Sequence, residues 1–206
     1  MAQTRENKTI SNFKSALIGG GARPNLFEVE LTTLPNGVAW DADKFRYMCK
    51  ASSLPASNIA AIDIPFRGRI FKVAGDRTIE TWSVTIINDE DFKLRNAFEQ
   101  WMEQIAKLDN NLGATLPESY MTNATVFQLG RGETKDSIGP GGKDRSVLKV
   151  YEFVNIFPIT VGDIALSYES SDTIEEFDVE FAVQSINLLP AKRETTKSGP
   201  DTTPTN

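Results

Sequence analysis

Regular alternation of apolar and polar residues dominates the middle of this chain. Within residues 25–34 ("NLFEVELTTL"), apolar and polar residues alternate from Phe27 to Thr32, which predicts a strand with one buried face. The same period of two recurs in residues 79–86 ("IETWSVTI") and 172–189. Residues 121–130 and 146–166 are rich in β-forming side chains, and the second run is expected to break at Pro158 and Gly162. The pattern therefore predicts a mainly β protein.

Two further segments are assigned from their spacing. Residues 43–52 ("DKFRYMCKAS") are predicted to form a strand with Phe45, Tyr47 and Cys49 on one side. A helix is predicted at about 89–108, with Asn88 as its cap and the acids of "NDED" at its positive end, an interpretation preferred to a metal site. Its apolar residues step by four and three, as on one face of a helix: Leu94, Phe98, Trp101, Ile105 and Leu108.

A hairpin is predicted in residues 54–75, where two β-prone runs flank "PFRG" with Pro65 and Gly68. Its flanks alternate weakly and its tip is charged, so we expect it to project and to dock elsewhere. The next residues, Gly75-Asp76-Arg77, are interpreted as a turn that begins a core strand. An interface contact through Arg77 and an active site are the alternatives.

The two ends of the chain differ from the middle. Residues 1–21 are predicted to be an arm, in which Ile10, Phe13 and Leu17 give a short helix one apolar stripe that needs a surface to lie on. Residues 22–189 are the expected β domain, and residues 190–206, without large apolar side chains, the expected disordered tail. Residues 131–145, with four glycines, are predicted to be a long flexible loop or a mobile hairpin tip.

Composition narrows the chemistry. The 206 residues include no histidine and one cysteine, Cys49, which excludes histidine-based catalysis, histidine metal sites and an internal disulfide. The net charge of −6 disfavours a protein that grips nucleic acid through phosphates. No signal peptide or membrane-spanning run is recognised, and "GPGGKD" lacks the spacing and the hydroxyl of a phosphate-binding loop. We expect no cofactor and no catalytic residue.

About eight strands, most with one polar face, and one amphipathic helix together predict an antiparallel β-sandwich or barrel with the helix packed alongside. Four blocks then carry a resemblance: "ARPNLFEVEL" (22–31), "CKASSLPAS" (49–57), "FRGRIFKVAGDRTIETWSVTIINDED" (66–91) and "FPITVGDIALSYESSDTIEEFDVEFAV" (157–183). In this order they resemble the tail tube proteins of contractile-tailed bacteriophages, and "VAGDRT" followed by the tryptophan strand and "NDE" is the most specific block.

The resemblance implies a structural subunit of the virion tail, made in the host cytoplasm. Family members form six-fold rings that stack into a tube, with the sheets of neighbouring subunits joined into one large barrel around a channel for DNA. The implied partners are further copies of the chain, the sheath protein, baseplate and tail-terminator proteins, and double-stranded DNA in transient, non-specific contact; no membrane is implied.

Sites follow from this reading as expectations. The hairpin is the strand pair expected to fit against a neighbouring subunit. Its interface residues would be the following: Ile62, Pro65, Phe66, Arg67, Gly68, Arg69 and Arg77. Contacts between rings would use the apolar residues of the arm: Ile10, Phe13 and Leu17. An acidic wall would let DNA slide, and its candidate acids are the following: Glu28, Glu30, Glu176, Asp178 and Glu180.

Two alternatives remain open at this point. The chain is compatible with a tube subunit, or a tube initiator, of another contractile injection or secretion machine such as type VI secretion. A hydrolase that works through carboxylates alone is the more distant alternative, since it needs two acids placed across one pocket.

Overall fold

The computed structural model describes residues 9–17, 20–35, 37–133, 145–169 and 172–190. These residues form three α-helices and eight strands. The helices are α1 (Ile10–Ala16), α2 (Ala42–Met48) and α3 (Lys93–Ile105). The strands are β1 (Phe27–Glu30), β2 (Cys49–Ser52), β3 (Ser57–Phe66), β4 (Arg69–Ile79), β5 (Trp82–Ile87), β6 (Thr122–Glu133), β7 (Arg145–Val161) and β8 (Glu176–Pro190).

Six strands form one antiparallel sheet in the order β1-β6-β7-β8-β5-β2, and β3 pairs with β4 in a separate two-stranded sheet. The larger sheet curls into a nearly closed barrel, as the alternating strands predicted. Its end strands, β1 and β2, are not hydrogen-bonded to each other; α2 lies against both. Arg46 of α2 contacts Glu28 on β1 and lies 3.3 Å, Nη2 to Oε1, from Glu30.

The core forms where inward-facing residues of the barrel meet α3. On β5 the predicted alternation is confirmed, because Trp82, Val84 and Ile86 are buried while the residues between them are half-buried. Trp82 stacks on Phe181 of β8 with ring centroids 5.0 Å apart. Phe98 of α3 then reaches Phe181 edge-on at 5.9 Å. Helix and sheet thus share one aromatic cluster, which positions the barrel wall.

The prediction of a strand over residues 43–52 is wrong for its first part, where α2 forms. Asp41 accepts a hydrogen bond from the Lys44 backbone N–H at 3.0 Å and so caps the helix. Phe45 is buried, and Met48 and Cys49 pack against the core three and four residues later, which is helical spacing. Tyr47, expected beside Phe45, is 78% exposed.

The long helix was predicted correctly in kind but is shorter than expected. α3 begins at Lys93 and ends at Ile105, so Leu108 lies beyond it and is exposed. Asn88 is not the cap. It is buried, and its Nδ2 donates to Glu175 Oε2 at 3.0 Å, which ties the end of β5 to the start of β8.

The turn expected at Gly75-Asp76-Arg77 is also wrong, because these residues lie inside β4. The pairing with β3 shifts here, so that Gly75 and Asp76 stand opposite the single residue Ala60 in a β-bulge. A Cβ on Gly75 would lie 3.1 Å from the Ala60 carbonyl oxygen, which explains the glycine. β4 continues to Ile79, and β5 begins at Trp82.

The later strands are longer than their sequences indicated. β7 runs through Pro158, where its pairing with β8 shifts register instead of breaking, and it ends before Gly162. Of the expected loop at 131–145, residues 131–133 belong to β6 and Arg145 begins β7. Residues 134–144 and the tail from 191 to 206 lie outside the described residues, as does most of the arm before Thr9.

Candidate assembly interface

The β3–β4 hairpin, called the ribbon below, pairs with no other strand of the described residues. Its strands are joined by the two-residue turn Arg67-Gly68, with φ angles of 46° and 79°. Two consecutive positive φ values are those of a type I′ turn, whose twist matches that of a hairpin. The prediction that "FRGR" lies at a hairpin tip is therefore confirmed, and the Arg67 guanidinium lies 5.4 Å from the centroid of the Phe66 ring.

The ribbon has one apolar face. Residues opposite each other in the register share a face, and the pairs Ile62–Val73 and Ile64–Phe71 lie on the same side as Phe66. These five side chains are between 38% and 66% exposed, so nothing in the described chain covers them. The other face carries the small pair Ala61–Ala74, a charged pair and, near the tip, Pro65 opposite the exposed Ile70.

Asp63 and Lys72 form the charged pair of that second face, with Lys72 Nζ 2.6 Å from Asp63 Oδ1. The ribbon therefore has the two-sided pattern of a strand pair that buries one face, yet its apolar face has no partner among the described residues. An isolated two-stranded hairpin is marginally stable in water, and exposed apolar patches of this kind mark contact surfaces.

The seven predicted interface residues divide into three groups. Ile62 and Phe66 lie on the apolar face, with Arg69 opposite Phe66, while Pro65 lies on the other face. Arg67 and Gly68 form the turn. Arg77 lies near the base of the ribbon, opposite Ile59 and next to the bulge, away from the tip.

Three residues of the apolar face were missed by the sequence reasoning: Ile64, Phe71 and Val73. Their register supplies the signal. Once the turn is placed at Arg67-Gly68, counting outward pairs Ile64 with Phe71 and Ile62 with Val73, and the apolar face becomes visible in the sequence.

The predicted helix of the arm forms as α1. Thr9 caps it, accepting a hydrogen bond from the Asn12 backbone N–H at 3.4 Å. Ile10, Phe13 and Leu17 are 73%, 64% and 44% exposed, so the apolar stripe has no cover in the described chain.

The five candidate acids lie on the side of the sheet away from the core but have different surroundings. Glu28 and Glu30 contact Arg46, so their charge is largely offset. On β8, Glu176 lies 2.5 Å from Lys50 Nζ, and Asp178 accepts a hydrogen bond from Thr85 Oγ1 at 2.6 Å. Together with Glu180, these β8 residues form an acidic row beside the core residues Phe177, Val179 and Phe181.

The "NDED" acids form an ion cluster with α2. Lys44 Nζ lies 2.9 Å from Asp89 Oδ2 and 2.6 Å from Asp91 Oδ2. The hydrogen bonds from Lys44 lower the pKa of both carboxyls and raise the pKa of the lysine. Asp91 also accepts from the Lys93 N–H at 3.1 Å, at the start of α3. The cluster thus ties α2 to the beginning of α3.

Reactive groups are sparse in the part of the chain that the structure describes. Burial raises the pKa of the Cys49 thiol to about 12, so the nucleophilic thiolate is scarce at neutral pH. The described residues contain no group of three or more side chains placed to hold a metal ion. None of the described helices has the length and apolar content of a membrane span.

A nearly closed antiparallel barrel with a projecting, uncovered ribbon places the chain in the class of mainly β proteins with a candidate contact surface. Comparison with known proteins gives the family. The family model described as "Phage tail tube protein" matches residues 22–187. The tail tube protein gp19 of Enterobacteria phage T4 is 33% identical over 165 residues, covering 80% of this chain and 90% of its own, and gp19 of phage T6 matches equally. The chain belongs to the phage tail tube protein family.

Solved structures show the same fold. The tube-terminating cap of the anti-feeding prophage superposes with a TM-score of 0.55 at 14% identity, covering 83% of this chain and 92% of that one. A chain of the PVC extracellular contractile injection system, from its sheath-tube complex, gives 0.53 at 12% identity, with 86% and 97% covered. The resemblance read from the four sequence blocks and the predicted fold class are therefore confirmed.

Proposed function

We propose that this tail tube protein assembles into six-membered rings that stack into the tube of a contractile phage tail, around a channel through which DNA leaves. The observation that carries the proposal is the ribbon, whose apolar face is not covered by any part of the chain that the structure describes. Burying such surface stabilises by roughly 25 cal/mol per Å² of apolar area. Neighbouring copies supply that cover, because the same ribbon recurs on each subunit and cyclic contacts close into rings.

Two further features support the same arrangement. The exposed stripe of α1 provides each ring with an apolar contact for the next. The acidic row of β8, Glu176, Asp178 and Glu180, repels phosphates and so gives a channel wall along which DNA slides without being held. In this assembly the protein is a structural part and not an enzyme, as expected of a family of tube subunits.

The proposed partners follow from the place of the tube in such a particle. The fold recurs in chains from a sheath-tube complex and from a tube-terminating cap of other contractile injection systems. We infer that this chain contacts a sheath protein along its outside and baseplate and terminator proteins at the ends of its tube. Assembly takes place in the host cytoplasm before the tail is complete.

Negative-stain electron microscopy of the purified protein tests the proposal. We expect rings or tubes of uniform bore, with six-fold symmetry in end-on class averages. Monomers at every concentration and ionic strength would contradict it, and a different symmetry would correct the number of subunits.

The channel wall is tested separately. Replacing Asp178 and Glu180 by lysine should leave tube formation intact while increasing the binding of double-stranded DNA to open tubes at low salt. The matched control places lysines at Asp109 and Glu118, acids outside the acidic row. Equal DNA binding by both variants would show that the β8 row does not face the channel.

A further inference from the structure

The edges of the six-stranded sheet are unequally protected. Its end strands β1 and β2 are only four residues long and carry charged residues, Glu28 and Glu30 on one and Lys50 on the other. Short strands and charges are the means by which proteins prevent pairing at an edge. The formal ends of the sheet are therefore poor sites for a further strand.

A longer open edge lies within the sheet, on β8. This strand pairs with β7 over residues 179–190, but β5 covers its other flank only over residues 176–181. Phe181 pairs with Trp82, the first residue of β5. The chain before Trp82 leads back to the ribbon, which forms no ladder with β8. Residues 182–190 consequently have no strand on that flank among the described residues.

This open flank lacks the usual protection. In an antiparallel strand alternate residues direct their N–H and C=O groups to each side, so about half of the nine residues present unpaired backbone there. Residues 182–190 ("AVQSINLLP") include no charged side chain. Leu188 and Leu189 are 60% and 45% exposed, and Leu148 of β7 is 49% exposed close by. A long, uncharged edge with exposed leucines is a template for strand addition.

The ribbon offers a matching strand. β3 is ten residues long and carries one charged residue, Asp63, whereas β4 carries four, Arg69, Lys72, Asp76 and Arg77. Pro65 has no N–H to donate, which leaves Ser57–Ile64 as the part of β3 able to pair. Eight residues with a single charge, that of Asp63, therefore face an edge of nine.

We propose that residues 182–190 of β8 are the docking edge for β3 of a second copy. The inference rests on the proposed assembly of identical subunits and names the contact that joins them. Donor and acceptor are different surfaces, so each subunit gives its ribbon to one neighbour and receives the ribbon of the other, a head-to-tail arrangement that closes into a ring. Leu188 and Leu189 point to opposite faces of β8, so one of the two lies beside the apolar face of the incoming ribbon.

Hydrogen exchange of the unmodified protein is the first test, because it requires no variant. In assembled tubes, alternate amides within 182–190 should exchange at least about 100-fold more slowly than in the monomer, as should amides of Ser57–Ile64. Amides of β1 and β2 that are unpaired in the monomer should change little. Unchanged exchange in 182–190 would overturn the inference.

Photo-crosslinking identifies the partner. With p-benzoylphenylalanine at Leu188, tubes grown from mixed ¹⁵N-labelled and unlabelled subunits should give crosslinks to residues 57–66 of a different copy. Tubes whose crosslinks lie elsewhere, or within one copy, would refute the β3 assignment and leave the tube function standing. Failure of the unmodified protein to form any ring or tube would refute both.

A substitution pair completes the test. Leu188→Glu should raise the concentration needed for polymerisation at least about tenfold, since a charge then lies in a desolvated edge. Leu188→Ile, which keeps an apolar side chain suited to a strand, should stay within about twofold of the unmodified protein. Equal polymerisation of the two variants would contradict the docking edge.

Discussion

The barrel body and the ribbon are built from the same kind of strand but reach stability differently. In the body, alternate residues of β5 and β8 are buried against α3, and aromatic rings such as Trp82 and Phe181 pack within one cluster. In the ribbon, Ile64 and Phe71 alternate in the same way yet remain exposed. The comparison teaches that period-two alternation reports a face intended for burial, and does not say whether the covering surface belongs to the same chain.

The largest expected effect is a loss of monomer stability caused by one substitution in the barrel body. Phe181→Ala removes a fully buried ring from the aromatic cluster and should lower the free energy of unfolding by about 3–5 kcal/mol. Chemical denaturation of the monomer measures it. A loss below about 1 kcal/mol would mean that the cluster is not the core of the body.

The matched substitution in the ribbon should act on assembly alone. Phe71→Ala removes a ring that is 65% exposed, so unfolding of the monomer should change by no more than about 0.5 kcal/mol. Tube formation, followed by sedimentation and electron microscopy, should fall sharply because the apolar face is lost. Full polymerisation of Phe71→Ala would show that this face is not an interface.

Charge reversal at the tip gives a third test. Replacing Arg67 and Arg69 by glutamate should impair polymerisation while the monomer remains folded, since both lie at the end of the ribbon. The control replaces both by lysine, which keeps the charge and the same backbone demand at Arg67. Tubes of normal length from the glutamate variant would exclude a tip contact.

The arm should behave as the ribbon does. We expect the amides of α1 to exchange freely in the monomer and to be protected in the tube, because the stripe of Ile10, Phe13 and Leu17 has no cover in the described chain. Comparison of the two states by hydrogen exchange measures this. Equal protection in both would separate α1 from the contacts between rings.

The smallest effect concerns the ion cluster of the body. Because the pKa values of Asp89 and Asp91 are lowered in the folded protein, their contribution to stability is present above their ordinary value of 3.8 and is lost as pH falls below it. Lys44→Met should therefore lower the melting temperature slightly at pH 7, with the difference disappearing towards pH 2. The control Lys107→Met should show no such trend.

How far sequence predicted the fold depended on whether the signal was local. The alternation of β5 and the turn at Arg67-Gly68 were predicted because period and turn chemistry act over a few residues. α2 was missed because Phe45, Tyr47 and Cys49 alternate as they would in a strand. The helix forms because Asp41 caps it and because Phe45 is buried from it. The bulge at Gly75 was missed because its cause, the Ala60 carbonyl, lies on the other strand.

The candidate interface shows the same division between local features, which the sequence predicts, and features that depend on distant strands. The hairpin and its tip were predicted from "PFRG", and Ile62 and Phe66 were correctly placed on it. The apolar face required the pairing register, and the open flank of β8 required knowing where β5 ends, which is a property of the whole sheet. No pattern within 182–190 distinguishes an edge from a central strand, since both are apolar and neutral.

The position of α2 has a mechanical consequence. Between β1 and β2 the wall is spanned by a helix and by the contacts of Arg46 with Glu28 and Glu30, and no backbone ladder crosses there. Side-chain contacts lengthen and re-form at small cost, whereas a ladder breaks as a unit. Of the circumference that the structure describes, this is the stretch where neighbouring strands share no backbone hydrogen bonds, so we expect the barrel to widen or narrow here first.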